Sequence, residues 1–312
     1  MATRYDAIVV GAGPAGLTAA IYLSRSRFRT LVLDRGAAGG QVNLTHEVAN
    51  YPGLPSVSGV ALGRAMRAQA QSFGARFLGH ADLGRLDLAS PEKTIEVLDE
   101  DAFQAPVVVL ATGGSPRTLG LDGETRFKGH GVSYCATCDG DFFSGKDVAV
   151  IGGGNSALEE AAALTAQVRS ATIIHEFDQF QAHAWAVEEA RKNPKLSFLM
   201  EQTVTGLRGA ETLEAVTSVH KRSGVTTVTP VSGVFIFIGY APNTKWLEGH
   251  VALNERGEIV VDESLRTDVP GVFAAGDARA KRYRQITTAV ADGTVAALAA
   301  TEYLADLARS AA

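Results

Sequence analysis

The chain has 312 residues, 46% of them hydrophobic and 20% charged, with a net charge of −5; that length suffices for two domains, each with its own core. No Lys/Arg stripe stands out to neutralise phosphates, which excludes nucleic acid as a main partner, and no apolar run approaches the ~20 residues that span a bilayer. The only two cysteines cannot build a secreted disulfide framework, and in a cytosolic chain a Cys-x-x-Cys pair points to redox or metal chemistry.

The N-terminal stretch "MATRYDAIVVGAG" enters a strand at once, which predicts no secretory signal and a cytoplasmic enzyme. Within "YDAIVVGAGPAGLTAAIYLSRS", the short apolar run Ala7 to Val10 reads as a buried strand, and a Gly-rich turn follows. Leu17, Ala20 and Leu23 then recur at helical spacing. The next strand, "TLVLD", ends in Asp34. "KDVAVIGGGNSALEEAAALTAQ" repeats this plan, with Gly152, Gly154 and Ala157 where Gly11, Gly13 and Gly16 fell, and "SATIIHE" supplies its second strand. "VVVLATGGSPRT" and "VFIFIGYAPNT" extend the repeat, each an apolar strand followed by Gly-x-x-Pro-x-Thr. The fold class expected is therefore α/β, with two nested Rossmann-like nucleotide-binding domains. Residues 1–115 and 243–312 form a discontinuous first domain, and 116–242 are inserted into it.

A lone G-x-G-x-x-G is a weak signal, but the first copy has a strand before it, a helix after it and an acid 23 positions past Gly11. Gly11 permits the tight turn, Gly13 lets the backbone approach a pyrophosphate, and Gly16 lets helix and strand pack closely. Asp34 can accept a ribose hydroxyl. The competing reading is a tight turn with no ligand. Downstream, "GVFAAGD" ends a short apolar strand at Asp277, which can hold a polyhydroxyl chain or merely cap a helix.

Cys135 and Cys138 stand at i and i+3 in "SYCATCDGDFF", a spacing that random placement gives roughly once in 150 trials, so a paired role is favoured. A structural zinc needs about four ligands, and the seven histidines are scattered with no second Cys pair. A redox dithiol, with no metal, is the stronger reading. It needs an accessible thiolate, a resolving thiol and a proton source. Asp139 can shuttle protons, or form an Asx-turn or N-cap before "GDFF".

The stretches "VVGAGPAGLTAAIYLSR", "GGQ", "ATG", "CATCDG", "GGGNSALEEA", "GVFAAGD" and "YRQ", in that order, resemble bacterial low-molecular-weight thioredoxin reductase along essentially the whole chain. The resemblance implies FAD in the first domain, a nicotinamide nucleotide in the second, a thioredoxin-like partner and a homodimer. It also implies a flavin site lined by Gly11, Gly13, Ala15, Gly16, Asp34, Gly39, Gly40, Gln41, Asn50, Thr112, Gly113, Asp277, Arg284 and Gln285. Asp34 stands where the family more usually has Glu. By the same likeness Cys138 lies nearer the flavin and Cys135 attacks the partner disulfide. Phe142 and Phe143, if exposed, resemble the loop that docks thioredoxin; core anchoring is their other reading.

The resemblance breaks at one place. The family's NADPH signature is His-Arg-Arg followed four residues later by Arg, and this chain reads "HEFDQFQ", with Glu176, Phe177 and Gln181 in place of the arginines. Losing two charge-assisted contacts to the 2′-phosphate costs roughly 3–6 kcal/mol, about 10² to 10⁴ in affinity. NADPH is therefore a poor donor. Glu176 lies 24 residues after Gly152, near where an acid accepts the adenosine 2′-hydroxyl, so NADH is one candidate; Gly152, Gly154, Ala157 and Glu159 match the family's nucleotide positions. The alternative is a vestigial pocket, with electrons arriving from a ferredoxin- or flavodoxin-type protein. In the plainest reading Glu176 only solvates a strand end. The function expected is a flavin-dependent disulfide reductase; a dithiol oxidase using oxygen and a flavin-bound sensor are the competing classes.

Overall fold

The computed structural model describes residues 2–44, 48, 50–100 and 102–310, without the side chains of Thr137 and Cys138. The chain divides into two compact units, Met1–Ser115 with Ala241–Ala312, and Pro116–Tyr240. Each is a mixed α/β unit built on a parallel, Rossmann-like sheet.

In the first unit, Ala7–Val10 is buried along its whole length, as a strand covered on both faces must be, which is why its residues are all apolar and do not alternate. It lies at the centre of a five-stranded parallel sheet in the order Val272–Ala274, Val107–Leu110, Ala7–Val10, Thr30–Leu33, Arg76–Leu78. The two faces of the sheet are sorted by strand alternation. Ala7, Val9, Val32, Val107 and Val109 pack on residues of the helices Pro14–Arg25, Gly59–Ser72 and Ile286–Ser310. Ile8, Val10, Leu31, Leu33, Val108 and Leu110 pack on Ile95, Val97 and Phe103 of a second, four-stranded sheet. Small residues bring the helices close: a Cβ on Gly293 of Ile286–Ser310 would lie 2.2 Å from the Ala15 carbonyl oxygen.

The second unit repeats these three layers. Its parallel sheet runs Val132–Ser133, Gly233–Ile236, Asp147–Ile151, Ser170–Ile174, Leu196–Leu199. Val148, Val150, Ala171, Ile173 and Phe235 face the helices Asn155–Leu164 and Ala184–Lys192. Ala149, Ile151, Ile174, Val234 and Ile236 face an antiparallel meander of Gln202–Arg208, Ala215–His220 and Thr226–Pro230. In both units the strand that enters the Gly-rich turn is flanked on one side by the next strand in sequence and on the other by one from much later in the chain. Strand order reverses there, and a ligand crevice opens at such a point. Among the described residues no helix is long and apolar enough to cross a membrane.

Candidate active site

The two Gly-rich turns share a geometry that only glycine allows. Gly11 has φ +106° and Gly152 φ +139°; a Cβ on either would stand 2.2 Å from a backbone carbonyl oxygen, that of Ala111 or Phe237. A Cβ on Gly16 would meet the Gly11 oxygen at 1.8 Å, so helix and turn touch without a side chain between them. Ala157 holds that place in the second copy. Gly13 and Gly154 are the N-cap residues of Pro14–Arg25 and Asn155–Leu164, and neither helix has a side-chain cap. A Cβ at either would meet nothing within 4 Å. Each helix thus presents backbone N–H groups, at the positive end of its dipole, to open space, an arrangement suited to a phosphate.

In the first unit several of the predicted flavin residues lie on this turn. Asp34 sits just past Thr30–Leu33; its Oδ2 accepts from Ala12 N at 2.5 Å and its Oδ1 from Gly36 N at 2.7 Å. Each oxygen keeps a lone pair for a hydroxyl. Gly39 N donates to Ala12 O at 2.7 Å, and a Cβ on Gly40 would stand 3.1 Å from Gly13 Cα, so Gly39 and Gly40 lie directly on the turn. Gln41 Nε2 donates to Gly114 O. Thr112, beside Gly113, and Asp277 each have a buried oxygen, Oγ1 and Oδ1, with no hydrogen-bond partner. Burial pushes the Asp277 carboxyl up from its ordinary range, opposed by Lys281 and Arg284. Buried polar atoms are nearly always satisfied, so these orphans fit a bound polyhydroxyl group, and the residues present fit the FAD that the resemblance implies. Arg284 pairs with Glu258, and Asn50 Nδ2 donates to Gln285 Oε1 at 3.4 Å. Asp277 lies inside a 3₁₀ turn, Gly276–Ala278, whose N-cap is Ala275; the capping role does not apply to it. Sequence reasoning missed Asp292, which accepts from Gly276 N at 3.0 Å, Arg279 Nη2 at 2.6 Å and Lys281 Nζ at 2.8 Å. These bonds hold its carboxyl below the usual range despite burial, and they fasten the Asp277 turn to Ile286–Ser310.

In the second unit Cys135 is held in a disulfide, and the chain has one other cysteine, Cys138. The side chain of Cys138 lies outside the described atoms; its backbone belongs to the short helix Ala136–Asp139. Ser133 ties this turn together. Its Oγ accepts from Cys135 N at 3.0 Å and lies 2.6 Å from Asp139 Oδ2. Asp139 makes no capping bond to the following 3₁₀ turn, Gly140–Phe143. Asp139 holds the N-cap position of that turn but without the side-chain bond of a cap; the Ser133 hydroxyl engages its carboxylate instead. The two phenylalanines divide: Phe142 is 72% exposed, and Phe143 is 8% exposed. Phe143 packs edge-on against Phe235 at 5.4 Å, over Gly233, where a Cβ would collide with the ring. Phe143 is a core anchor, and Phe142 lies exposed to solvent. Ahead of the cysteine, Tyr134 hydrogen-bonds Glu124, and burial together with that carboxylate pushes its phenol above the ordinary range.

The second Gly-rich turn is wrapped by the segment after Ser170–Ile174. The buried His175 ring lies where a Gly153 Cβ would come within 2.2 Å of it. It stacks on Phe180 at 5.5 Å, its Nε2 is 3.1 Å from Gln179 O, and burial lowers its pKa. Gln181 N donates to Gly153 O at 2.8 Å and His183 N to Asn155 Oδ1 at 2.7 Å. Glu176 is exposed just past the strand, and its Oε1 accepts from Lys221 Nζ at 2.8 Å. Arg222 Nε lies 2.5 Å from Glu201 and its Nη2 3.7 Å from Asp178. No local signal could have found these cations, since the turn leading into Thr226–Pro230 carries them back from 45 residues away. On the helix Asn155–Leu164, Glu159 is exposed, whereas Glu160 has a buried Oε2 with no hydrogen-bond partner and a pKa raised by burial and by Glu159.

The pyridine nucleotide-disulphide oxidoreductase family matches residues 5–293. The thioredoxin reductase of Peptoclostridium litorale is 41% identical over 314 residues, covering 98% of this chain and 99% of its own length. Thioredoxin reductase from Lactococcus lactis is similar in structure, with a TM-score of 0.91 at 37% identity, covering 97% of this chain and 99% of its own. That of T. acidophilum gives 0.88 at 36% identity, covering 97% and 99%.

Proposed function

The chain belongs to the pyridine nucleotide-disulphide oxidoreductases, as a flavin disulfide oxidoreductase of thioredoxin-reductase type, and on that premise we propose that its cysteine pair reduces a thioredoxin-like protein disulfide with electrons from a nicotinamide nucleotide lacking the 2′-phosphate. The observation that carries this reading is the turn around Cys135: a disulfide-bonded cysteine and, one hydroxyl away, a carboxylate fixed at 2.6 Å.

The Gly11–Gly16 turn, Asp34, Gly39–Gln41, Thr112, Gly113 and Asp277 would hold FAD, which when bound would supply two-electron redox chemistry between the nucleotide and the cysteines. Once the pair is reduced, the Cys135 thiolate attacks one sulfur of the partner disulfide, and the partner's other sulfur leaves as a thiolate that takes up a proton. Cys138 then attacks Cys135; the mixed disulfide breaks and the partner departs with both thiols. Asp139, oriented by Ser133, moves the protons these exchanges require. Exposed Phe142 offers the partner an apolar contact. The flavin residues and the cysteines belong to different units, joined at the crossings 115/116 and 240/241. The homodimer of the family is part of the same proposal.

The donor follows from charge. A 2′-phosphate entering beside Glu176 meets a carboxylate, whereas a 2′-hydroxyl meets an acceptor. A Cys135→Ser variant tests the exchange step: the flavin should still accept electrons from the nucleotide, and reduction of a thioredoxin disulfide should stop. Unchanged turnover in that variant would remove the dithiol from the mechanism.

A further inference from the structure

We propose that Lys221 is a positioning residue that fixes Glu176 as the acceptor for an adenosine 2′-hydroxyl, and that the same lysine becomes a 2′-phosphate ligand once Glu176 loses its charge. This rests on reading the second Gly-rich turn as a nicotinamide-nucleotide site.

The backbone puts Lys221 there. Glu201 N donates to Phe177 O at 3.1 Å and Lys221 N to Glu201 O at 2.8 Å, so Phe177, Glu201 and Lys221 are laced side by side. Two side-chain contacts then hold the ammonium. It donates to Glu176 Oε1 at 2.8 Å, and it stands 5.2 Å from the Phe177 ring centroid, a cation–π distance. Only the first contact disappears if Glu176 is neutralised; the second keeps the charge beside the same spot. An ammonium has three donors, and with Glu176 gone one is released for a phosphate oxygen.

The neighbouring cation cannot substitute. Arg222 is committed to Glu201 and Asp178. Three carboxylates (Glu176, Asp178 and Glu201) thus face two permanent cations, Lys221 and Arg222, an excess of one acid. Against a phosphate dianion that excess selects the hydroxyl. Removing Glu176 evens the two counts and frees its lysine. The Glu176–Lys221 pair is solvent-exposed, and such pairs contribute little to fold stability, so variants at both positions retain the fold.

The test uses the flavin-loaded full chain, with ADP-ribose and 2′-phospho-ADP-ribose as redox-inert stand-ins for the two nucleotides, titrated by calorimetry. Flavin absorbance and Tm verify each variant. The wild type should prefer ADP-ribose. Glu176→Gln should gain about tenfold or more for the 2′-phosphorylated analogue, as one charge-assisted contact replaces one repulsion. Glu176→Gln combined with Lys221→Met should lose that gain, and Lys221→Met alone should weaken ADP-ribose without gaining for the phosphate. Retained ADP-ribose binding with no gain in Glu176→Gln, or a gain that survives Lys221→Met, overturns this inference and leaves the nucleotide site standing. Binding of neither analogue by the wild type removes the nucleotide site, and the inference with it.

Discussion

The two Gly-rich turns differ where their ligands would differ. Around Gly11 the acid is Asp34, gripped by two backbone amides, with buried unsatisfied oxygens on Thr112 and Asp277 close by in the same unit. Around Gly152 the place corresponding to Asp34 is taken by a buried aromatic, His175, and the acid comes one residue later as Glu176, on the surface and tied to the Lys221 side chain. Backbone-held acceptors and orphaned buried oxygens suit a resident cofactor, since leaving them empty is costly. An exposed acid balanced by a side-chain cation suits a ligand that arrives and departs each cycle. On the proposed reading, what separates a prosthetic-group site from a substrate site is how the acid at the rim of the turn is held.

The largest effect that could break this contrast comes from the glycines. Gly11→Ala and Gly152→Ala each force a Cβ to within 2.2 Å of a carbonyl. The first should yield protein purified without flavin. The second should keep its yellow colour and lose on the order of 10- to 100-fold in reduction by the nucleotide. Loss of flavin in both would erase the distinction. Asp277→Ala probes the orphaned carboxyl and should weaken flavin retention by about 10- to 100-fold in dialysis, with nucleotide-analogue binding unchanged.

A smaller effect is expected at Ser133→Ala, which frees Asp139. Turnover with the protein disulfide should fall by about 3- to 10-fold, and the pH–rate profile should shift while flavin content stays constant. A purely structural serine would lower the rate without moving the profile.

The smallest effect concerns Glu160, whose counterpart in the first helix is the fully buried Ala19. Because burial raises the Glu160 pKa, the folded state binds more protons than the unfolded one between the ordinary glutamate pKa and the raised value. The residue's destabilising contribution therefore grows as pH rises through that window and is absent below it. Glu160→Gln should raise Tm at neutral pH, by about 1 kcal/mol or roughly 2–4 °C, and the gain should vanish in acid. A gain independent of pH would show that packing, not charge, is responsible.

Much of the α/β architecture was legible because its signals are local. Buried parallel strands such as Ala7–Val10 and Asp147–Ile151 are short apolar runs, and each Gly-rich turn follows its strand at once. The antiparallel layer in each unit was not, since its register depends on pairings such as Ala215 with Pro230 that no short window contains. The same limit hid Lys221, Arg222 and Asp292, whose partners are remote in sequence. Phe142 and Phe143 are alike as letters; a single 3₁₀ turn sends one to solvent and the other into the core. The spacing between Gly152 and Glu176 drew attention to the acid, yet the buried His175 over Gly153 and the cation beside Glu176 emerge only from the folded chain.

The most direct measurement is anaerobic stopped-flow mixing of the oxidised flavoprotein with NADH or NADPH at equal micromolar concentrations, following loss of flavin absorbance. Faster bleaching by NADH, by about tenfold or more, is the expected result. Equal or faster bleaching by NADPH would contradict the assignment of Glu176 as the acceptor that chooses the nucleotide.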